Sequence, residues 1–287
     1  MRCRANGSGS LVASATRERS HDMTNAKART GWLSVMACIV VGSLSGPARA
    51  DDKVVDLRLS TGQTQRVLTA TAEHFQGTIV MFPGGEGDVG LERDGDIRHD
   101  HNFVVRTRAL WTSRGYSVVI PDTVDRANLR GMRSSLEYAG LVADLVAFAQ
   151  KNLGGPVFLL GTSQGSIAAM NGAAHAKRGS VSGVVLTESV SVMGGSGETV
   201  FSADPKDVRV PALVVANRDD RCDVAPPDAA PRIAAAMSAS PDVRVLNVAG
   251  GTAKSGKACG SLTPHGYYGI EQDVVSRIVE WLDKHRE

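Results

Sequence analysis

The sequence lacks internal repeats, low-complexity tracts and Pro-rich linkers. Repeats would indicate a solenoid or a propeller, and linkers would indicate several domains, so a single domain is the simplest organisation. Aromatic residues are few, at 5%, but 42% of the chain is hydrophobic and 22% is charged. This composition is that of an ordinary globular protein.

The N-terminal part has no apolar run of the length that a membrane helix needs. Its apolar run, residues 32–41, is too short to cross a bilayer of about 30 Å as a helix. Lys27 and Arg29 precede this run, and an Ala-Arg-Ala sequence follows it at residues 48–50. A basic segment, a short apolar run and an A-x-A site are the parts of a secretory signal peptide. We therefore expect residues 1–50 to be a cleaved signal peptide.

The polar stretch that begins the sequence makes Met23 the better candidate for the translation start. A lipid anchor on Cys38 is an alternative to cleavage, but Met36 departs from the small residues that precede a lipidated cysteine. We expect residues 51–287 to form a single catalytic domain, secreted or periplasmic and without a stable membrane anchor.

An excess of basic charge is also missing. Residues 1–50 hold seven Lys or Arg and two Asp or Glu, which leaves 25 basic and 28 acidic side chains in the mature chain. The net charge of +2 for the whole chain therefore becomes about −3. No basic field remains to attract nucleic acid or an anionic membrane, so neither is expected as a partner.

Cysteine is scarce. Two of the four cysteines lie in the predicted signal peptide, which leaves Cys222 and Cys259 in the mature chain. An even pair in an exported protein favours a disulfide. Two buried free thiols are the alternative.

What the mature chain does contain is a regular alternation of apolar runs and helical patterns. Such an alternation predicts a mostly parallel sheet of about eight strands, with helices on both faces. The first two strands, separated by Thr61-Gly62, would add an antiparallel hairpin. The predicted strands are 54–59, 65–71, 78–82, 117–121, 157–160, 183–186, 212–216 and 243–248, and the predicted helices are 103–114, 135–152, 167–177, 228–237 and 271–285.

Two segments without periodicity, 84–102 and 189–209, are long for loops in a compact domain. Loops of this length are usually functional, so both are candidates for substrate contact. The first contains a group of acidic and histidine residues that resembles a metal site: Asp94, Asp96, His99, Asp100 and His101. The group lacks the spacing of a helical or Cys-x-x-Cys site, and we interpret it as a solvated loop, with no metal and no cofactor expected.

The strand 157–160 runs into Gly161-Thr162-Ser163-Gln164-Gly165, and a helical pattern follows. This is a G-x-S-x-G sequence in the strand–turn–helix context that it requires. Glycines at the outer positions allow a very tight turn, which exposes Ser163 at the end of the strand, near the positive end of the helix dipole. An ordinary turn is the alternative, because turns recruit both Gly and Ser.

A serine nucleophile needs a base within hydrogen-bond reach, and the base needs an acid that fixes its tautomer. Acidic residues follow the strand 212–216, and His265 with Gly266 lies after the last strand. Both loops are expected at the carboxyl ends of strands, on the same edge of the sheet as Ser163. The other mature-chain histidines lie elsewhere in the pattern: His74, His99, His101, His175 and His285.

On these motifs the mature chain resembles the α/β-hydrolase superfamily. Its Cys in the acid loop and its Cys-Gly ahead of His-Gly are similar to a group of exported, lidless bacterial serine hydrolases. The resemblance implies that Ser163 is the nucleophile, His265 the general base and Asp220 the acid. Asn217 stands where a Gly is usual in this superfamily, which leaves Asp219 as an alternative acid, and Glu188 is another.

An oxyanion hole would be formed by backbone N–H groups. In this superfamily one comes from the residue after the nucleophile, here Gln164, and another from the loop after the third strand. That loop reads Pro83-Gly84-Gly85-Glu86-Gly87, with Pro83 in place of the usual His. Gly85 and Glu86 both remain candidates for the second donor.

The sequence therefore predicts a secreted hydrolase that cleaves carboxylic esters through an acyl-enzyme. The substrate would be a small-molecule or polymeric ester, and no obligate protein partner is evident. An amidase or peptidase would use the same three residues, because they do not select the leaving group. A non-catalytic binding protein with this fold is a further alternative, since fold does not determine function.

Overall fold

The computed structural model describes residues 51–286. The predicted signal peptide and the start at Met23 lie outside the described residues. Within residues 51–286, no helix has the length and hydrophobicity that crossing a membrane requires.

The fold is built on one eight-stranded sheet with the order β1-β2-β4-β3-β5-β6-β7-β8. The strands are β1 (Asp51–Arg58), β2 (Thr64–Thr71), β3 (Gly77–Phe82), β4 (Tyr116–Pro121), β5 (Val157–Thr162), β6 (Gly183–Thr187), β7 (Ala212–Asn217) and β8 (Val243–Val248). β1 and β2 pair antiparallel, β2 pairs antiparallel with β4, and the remaining neighbours are parallel. The predicted eight-stranded, mostly parallel sheet with an N-terminal antiparallel hairpin is confirmed.

Helices cover both faces of this sheet. They are α1 (Phe103–Arg106), α2 (Arg108–Thr112), α3 (Leu136–Asn152), α4 (Gly165–Ala174), α5 (Ala230–Ala236) and α6 (Glu271–Asp283). Because side chains alternate along a strand, Leu159 of β5 packs into the core beneath α3, α4 and α5, whereas Phe158 and Leu160 pack into the core beneath α1, α2 and α6. The sheet is thus buried on both sides, as its nearly continuous apolar strands predict.

One predicted helix, 103–114, is divided into α1 and α2 at Thr107. The Thr107 hydroxyl donates a hydrogen bond to the carbonyl of Phe103 at 2.6 Å and accepts one from Trp111 Nε1 at 3.0 Å. Hydroxyl groups that bond back to the preceding turn bend helices, and the apolar periodicity of the segment does not report such a bond.

The packing of α3 on α4 depends on Gly172. A Cβ built on Gly172 would overlap Cγ1 of Val142 and lie 3.0 Å from Cδ1 of Leu159. Gly140 of α3 is exposed, and a Cβ there would meet no atom within 4 Å. The two helical glycines therefore differ only in whether a neighbouring helix approaches them.

We expect Gly172→Ala to lower the free energy of unfolding by about 1–3 kcal/mol, because the added methyl group overpacks the α3–α4 contact. Gly140→Ala is the matched control and should raise stability by up to about 1 kcal/mol, since Ala is the better helix former. Urea denaturation of the two variants measures both effects. Equal stability changes in both variants would contradict the close α3–α4 packing.

Candidate active site

Ser163 lies in the turn between β5 and α4, with a positive φ of 52°. A Cβ on Gly161 would overlap the backbone of Gly165, and a Cβ on Gly165 would overlap the carbonyl of Phe82. The helix therefore begins in direct contact with β3 and β5, and only glycine fits at the two outer positions of the turn. This constraint raises Ser163 out of the sheet at the carboxyl end of β5.

His265 is the hydrogen-bond partner of Ser163. His265 Nε2 lies 2.9 Å from Ser163 Oγ, and His265 Nδ1 lies 2.7 Å from Asp220 Oδ2. Both His265 and Asp220 are buried. The backbone of His265 is fixed by a hydrogen bond from its N–H to the Thr263 hydroxyl. On the other side, Asp220 Oδ1 accepts the N–H of Cys222 at 2.8 Å. The structure thus brings the three predicted residues into one continuous chain of hydrogen bonds.

Asp219, the neighbouring alternative acid, faces another loop. Its Oδ2 accepts the N–H of Gly250 at 2.6 Å, and its own N–H donates to Oδ1 of Asn217. Asp219 has no hydrogen bond to His265 among the described residues. These two hydrogen bonds of Asp219 stabilise the turn after β7.

Asn217, which replaces a usual Gly, is fully buried, and its side chain joins the loop after β7 to the connection between β8 and α6. Its Nδ2 donates to the carbonyls of Gly250 and Pro264, each at 3.0 Å. Pro264 immediately precedes His265, so the side chain of Asn217 ties the loop of Asp220 to the loop of His265. In the sequence, Asn217 is recognisable only because it stands where a Gly is usual. Its position in the sequence does not indicate these two hydrogen bonds.

Glu188, the third candidate acid, is buried directly after β6 with a positive φ of 44°. Its Oε1 accepts the N–H of Asn217 at 2.8 Å. Burial raises the pKa of Glu188 well above its usual range, and its hydrogen bond with Asp220 and the charge of Asp220 raise the pKa further. Glu188 therefore lies behind Asp220 with a raised pKa, and it has no hydrogen bond to His265 among the described residues.

Glu188, Asp220 and His265 offer ligand atoms within 4.8 Å of one another, as do Cys222, Asp223 and Cys259. In the first group, Asp220 and His265 already bond to each other. In the second, the Cys222 and Cys259 Sγ atoms are at disulfide distance, 2.08 Å apart, with a Cα–Cα distance of 4.6 Å. Neither group offers a set of uncommitted metal ligands.

The loop after β3 lies beside Ser163. A Cβ on Gly84 would lie 3.1 Å from the Ser163 Cβ and 3.7 Å from its Oγ. The carbonyls of Gly84, Gly85 and Glu86 each accept a bond, from Gly87 N–H at 3.2 Å, Arg133 Nη2 at 3.0 Å and Leu129 N–H at 2.9 Å. For the N–H groups of Gly85, Glu86 and Gln164, the described part of the chain provides no acceptor. The loop is fixed through its carbonyls, and the N–H groups of Gly85 and Glu86 remain available to bind a ligand.

Arg133 is a buried cation that sequence reasoning missed. Its side chain is 1% exposed, and Nη2 bonds to the carbonyls of Gly85 and Pro83, at 3.0 and 3.5 Å. Burial lowers the pKa of Arg133, while the nearby carboxylate of Glu198 opposes that shift. A single Arg in a loop carries no sequence signal of burial, so only the folded chain reveals this role.

Glu198 in turn organises the backbone that carries Arg133. Its Oε1 accepts the N–H groups of Gly131 and Arg133, at 2.9 and 3.4 Å, and its Oε2 accepts that of Ser134 at 2.9 Å. Glu198 is 2% exposed. A buried carboxylate with three N–H donors is well satisfied, and its negative charge lies near the buried guanidinium of Arg133.

The segment that follows the Gly-Gly pair is anchored by Asp122, directly after β4. Asp122 Oδ1 accepts the N–H of Val89 at 2.9 Å, and its Oδ2 accepts that of Leu91 at 2.7 Å. Asp122 is buried. One carboxylate therefore fixes the first part of the long segment 84–102.

Ser163 and His265 open into a cleft of about 440 Å³. The segment 84–102 forms much of its wall, through Glu86, Asp88, Arg98, His99, His101 and Asn102. The other long segment, 189–209, contributes no lining residue to this cleft among the described residues. It contains two short 3₁₀ turns, Val200–Ser202 and Pro205–Asp207, and the buried Glu198.

No protein-family model and no curated protein sequence matches the chain. Among solved structures, the chain is similar to an esterase from Pyrococcus furiosus, with 12% identity, a TM-score of 0.59, and coverage of 83% of this chain and 92% of that one. It is similar to a dienelactone hydrolase from Anabaena variabilis, with 15% identity, a TM-score of 0.56, and coverage of 82% and 99%. An acylaminoacyl peptidase from Pyrococcus horikoshii matches with 11% identity, a TM-score of 0.56, and coverage of 83% and 42%.

These three proteins share little sequence with this chain but the same arrangement of sheet and helices. Identities of 11–15% establish the architecture and leave the reaction to be argued from the site. The chain has the α/β-hydrolase fold.

Proposed function

We propose that this protein is a secreted serine hydrolase that cleaves carboxylic esters through an acyl-enzyme. The observation that carries the proposal is the chain of hydrogen bonds from Ser163 Oγ to His265 Nε2, at 2.9 Å, and from His265 Nδ1 to Asp220 Oδ2, at 2.7 Å. A nucleophile, a base and an orienting acid in this order are the parts that acyl transfer needs.

In the first half of the reaction, Ser163 Oγ attacks the ester carbonyl while His265 Nε2 takes the hydroxyl proton. The tetrahedral intermediate collapses, the alkoxide leaves, and His265 returns the proton to it. Water then attacks the acyl-enzyme with His265 again as base, which releases the acid and restores Ser163. Asp220 accepts the Nδ1–H bond throughout and stabilises the imidazolium that forms in each half.

The developing oxyanion would be stabilised by the N–H of Gln164 and an N–H of the loop after β3. Gly85 and Glu86 are both candidates, because their N–H groups have no acceptor among the described residues and their loop lies beside Ser163. Gln164 precedes α4, so the partial positive charge of the helix N-terminus adds to this stabilisation.

An amidase or peptidase would use the same residues, and one of the similar structures is a peptidase. Hydrolysis of p-nitrophenyl esters against matched p-nitroanilides separates these activities. The continuous hydrogen-bond chain argues against a non-catalytic binding protein, and labelling of Ser163 with a fluorophosphonate in the wild-type protein tests that alternative.

Ser163→Ala should lower kcat on p-nitrophenyl acetate by at least about 10³-fold, because the attacking oxygen is removed. Residues that act as a unit are not additive, so His265→Ala added to this variant should cost little more. Circular dichroism and urea denaturation serve as the folding control. A folded Ser163→Ala variant with near wild-type turnover would overturn the nucleophile assignment.

Asp220→Asn should lower kcat by about 10³- to 10⁴-fold, since an amide can stabilise the wrong tautomer of His265 and cannot offset the imidazolium charge. Asp219→Asn is the matched control on the adjacent residue and should have a much smaller effect. Glu188→Gln should also have a small effect, because Glu188 has no hydrogen bond to His265 among the described residues and its raised pKa disfavours a charge there. Steady-state kinetics on one ester compares the three, and a larger loss for Asp219→Asn or Glu188→Gln would reassign the acid.

Arg133→Lys should lower kcat on p-nitrophenyl acetate about tenfold or more with little change in KM, because Lys cannot reproduce the guanidinium contact with the Gly85 carbonyl. Affinity for a boronic acid, which mimics the tetrahedral intermediate, should fall in parallel. Arg126→Lys, at an exposed ion pair with Glu92, is the control. A folded Arg133→Lys variant with unchanged boronate affinity would contradict the role of Arg133 in positioning the loop.

Cys222 and Cys259 should form a disulfide in the exported protein. The loop closed between them spans 37 residues in sequence, for which chain entropy predicts a stabilisation of about 4 kcal/mol. Because the bond joins the loop of Asp220 to the loop of His265, its reduction should lower turnover at temperatures where the protein stays folded. Mass spectrometry of alkylated, non-reduced protein tests the bond, and two alkylated thiols would contradict it.

The double variant Cys222→Ser, Cys259→Ser is the control for the effect of reductant. It should show the turnover of the reduced wild type and no further response to dithiothreitol. If reduction of the wild type leaves turnover unchanged, the disulfide has no part in positioning Asp220 and His265.

A further inference from the structure

The wall of the cleft around Ser163 contains few large apolar side chains. Of its sixteen lining residues, Phe103 is the only large apolar side chain, and Phe103 is 1% exposed. Sites for long acyl chains are lined mostly by hydrophobic and aromatic side chains, because burial of methylene groups provides their affinity. This cleft can therefore gain little from an acyl group of more than a few carbons.

Most of the charged side chains of the cleft form ion pairs. Glu86 pairs with Arg130 at 2.9 Å, and Arg98 pairs with Glu92 at 2.8 Å. Asp88 accepts the N–H of Gly90 at 2.8 Å. The two carboxylates and two guanidiniums of the lining cancel in formal charge. An anionic substrate would have to break one of these ion pairs before it gained a guanidinium.

What remains available is a set of neutral donors and acceptors. His99 Nδ1 is bonded to the carbonyl of Asp88 at 2.8 Å, which leaves Nε2 toward solvent. Asn102 Oδ1 accepts the N–H of Val104 at 3.3 Å, which leaves the amide NH₂, and the Ser261 hydroxyl has no hydrogen-bond partner among the described residues. Hydroxyl groups are the ligand chemistry that bonds to such mixed donors and acceptors without a charge.

We propose that the substrates are small-acyl esters, acetates above all, of neutral polyhydroxylated alcohols such as saccharides. This inference rests on the proposed function and names its substrate class. The acyl group would lie beside Ser163, Gly84 and Gly85, and the hydroxylated alcohol would extend along the wall formed by Glu86, Arg130 and the segment 84–102. Selectivity would come from hydrogen bonds to hydroxyl groups, which leave polar groups unpaired when the hydroxyls are absent.

The test compares an acetylated methyl glucoside with cyclohexylmethyl acetate, a substrate of similar size without the hydroxyl groups, by release of acetate. We expect kcat/KM to be at least about tenfold higher for the saccharide, which corresponds to about 1.4 kcal/mol of discrimination. On p-nitrophenyl esters, rates should fall from acetate to butyrate to octanoate. Acetylcholine and an anionic acetate ester should be no better than cyclohexylmethyl acetate.

Arg130→Gln removes the ion pair that lines the cleft, and Arg126→Gln removes an exposed ion pair that does not line it. Arg130→Gln should lower kcat/KM on the acetylated glucoside more than on p-nitrophenyl acetate. Arg126→Gln should leave the ratio of the two unchanged. Equal ratios in both variants would contradict recognition of the alcohol along this wall.

The outcomes separate the two proposals. If p-nitrophenyl acetate is hydrolysed and Ser163→Ala abolishes the reaction, the proposed function stands. A preference in the same protein for octanoate, for cyclohexylmethyl acetate or for a charged ester would then overturn the substrate class alone. Failure of the wild type to hydrolyse any ester would overturn both.

Discussion

The position of α4 against β3 and β5 is the constraint on which the rest of the site depends. The helix starts so close to the sheet that Gly161 and Gly165 allow no Cβ. This contact gives Ser163 its positive φ and directs its hydroxyl away from the sheet. The same contact places Gly84 beside Ser163 and brings the N–H of Gln164 to the same edge, so one packing contact positions both Ser163 and the candidate oxyanion donors.

The other half of the site comes from loops that would be mobile if left alone. Asn217 and the Cys222–Cys259 pair join the loop of Asp220 to the loop of His265 at two points, one through hydrogen bonds and one through sulfur. Behind them, the buried carboxyl group of Glu188 lies beside Asp220, and its pKa is raised. Buried polar groups are favourable only when their partners are complete, and here most are bonded to backbone groups of a second loop. The hydrogen bonds that satisfy these buried polar groups are therefore also the ones that position the loops.

The sequence predicted the sheet well because its strands are continuous apolar runs that are covered on both faces. Ser163 was identifiable because the glycine spacing, the strand and the helix all point to one turn. The division of the helix at Thr107 was not predictable, because it depends on a hydroxyl bond within one turn. The choice between Gly85 and Glu86 depends on the orientation of single peptide groups, which a Gly-Gly pair leaves open. Arg133 and Glu198 are far apart in sequence, and only the fold brings their segments together.

The carboxylate of Asp122 has a further consequence for how such a protein can change. It holds Val89 and Leu91 at the end of β4, and residues 92–96 form a turn after which Arg98 and His99 bond back to the carbonyls of Gly90 and Val89. Insertions or replacements after Leu91 would change the wall of the cleft without moving the turn that holds Ser163. Selection could therefore change the ligand specificity of the cleft without changing the positions of Ser163 and His265. One fold can acquire many specificities in this way.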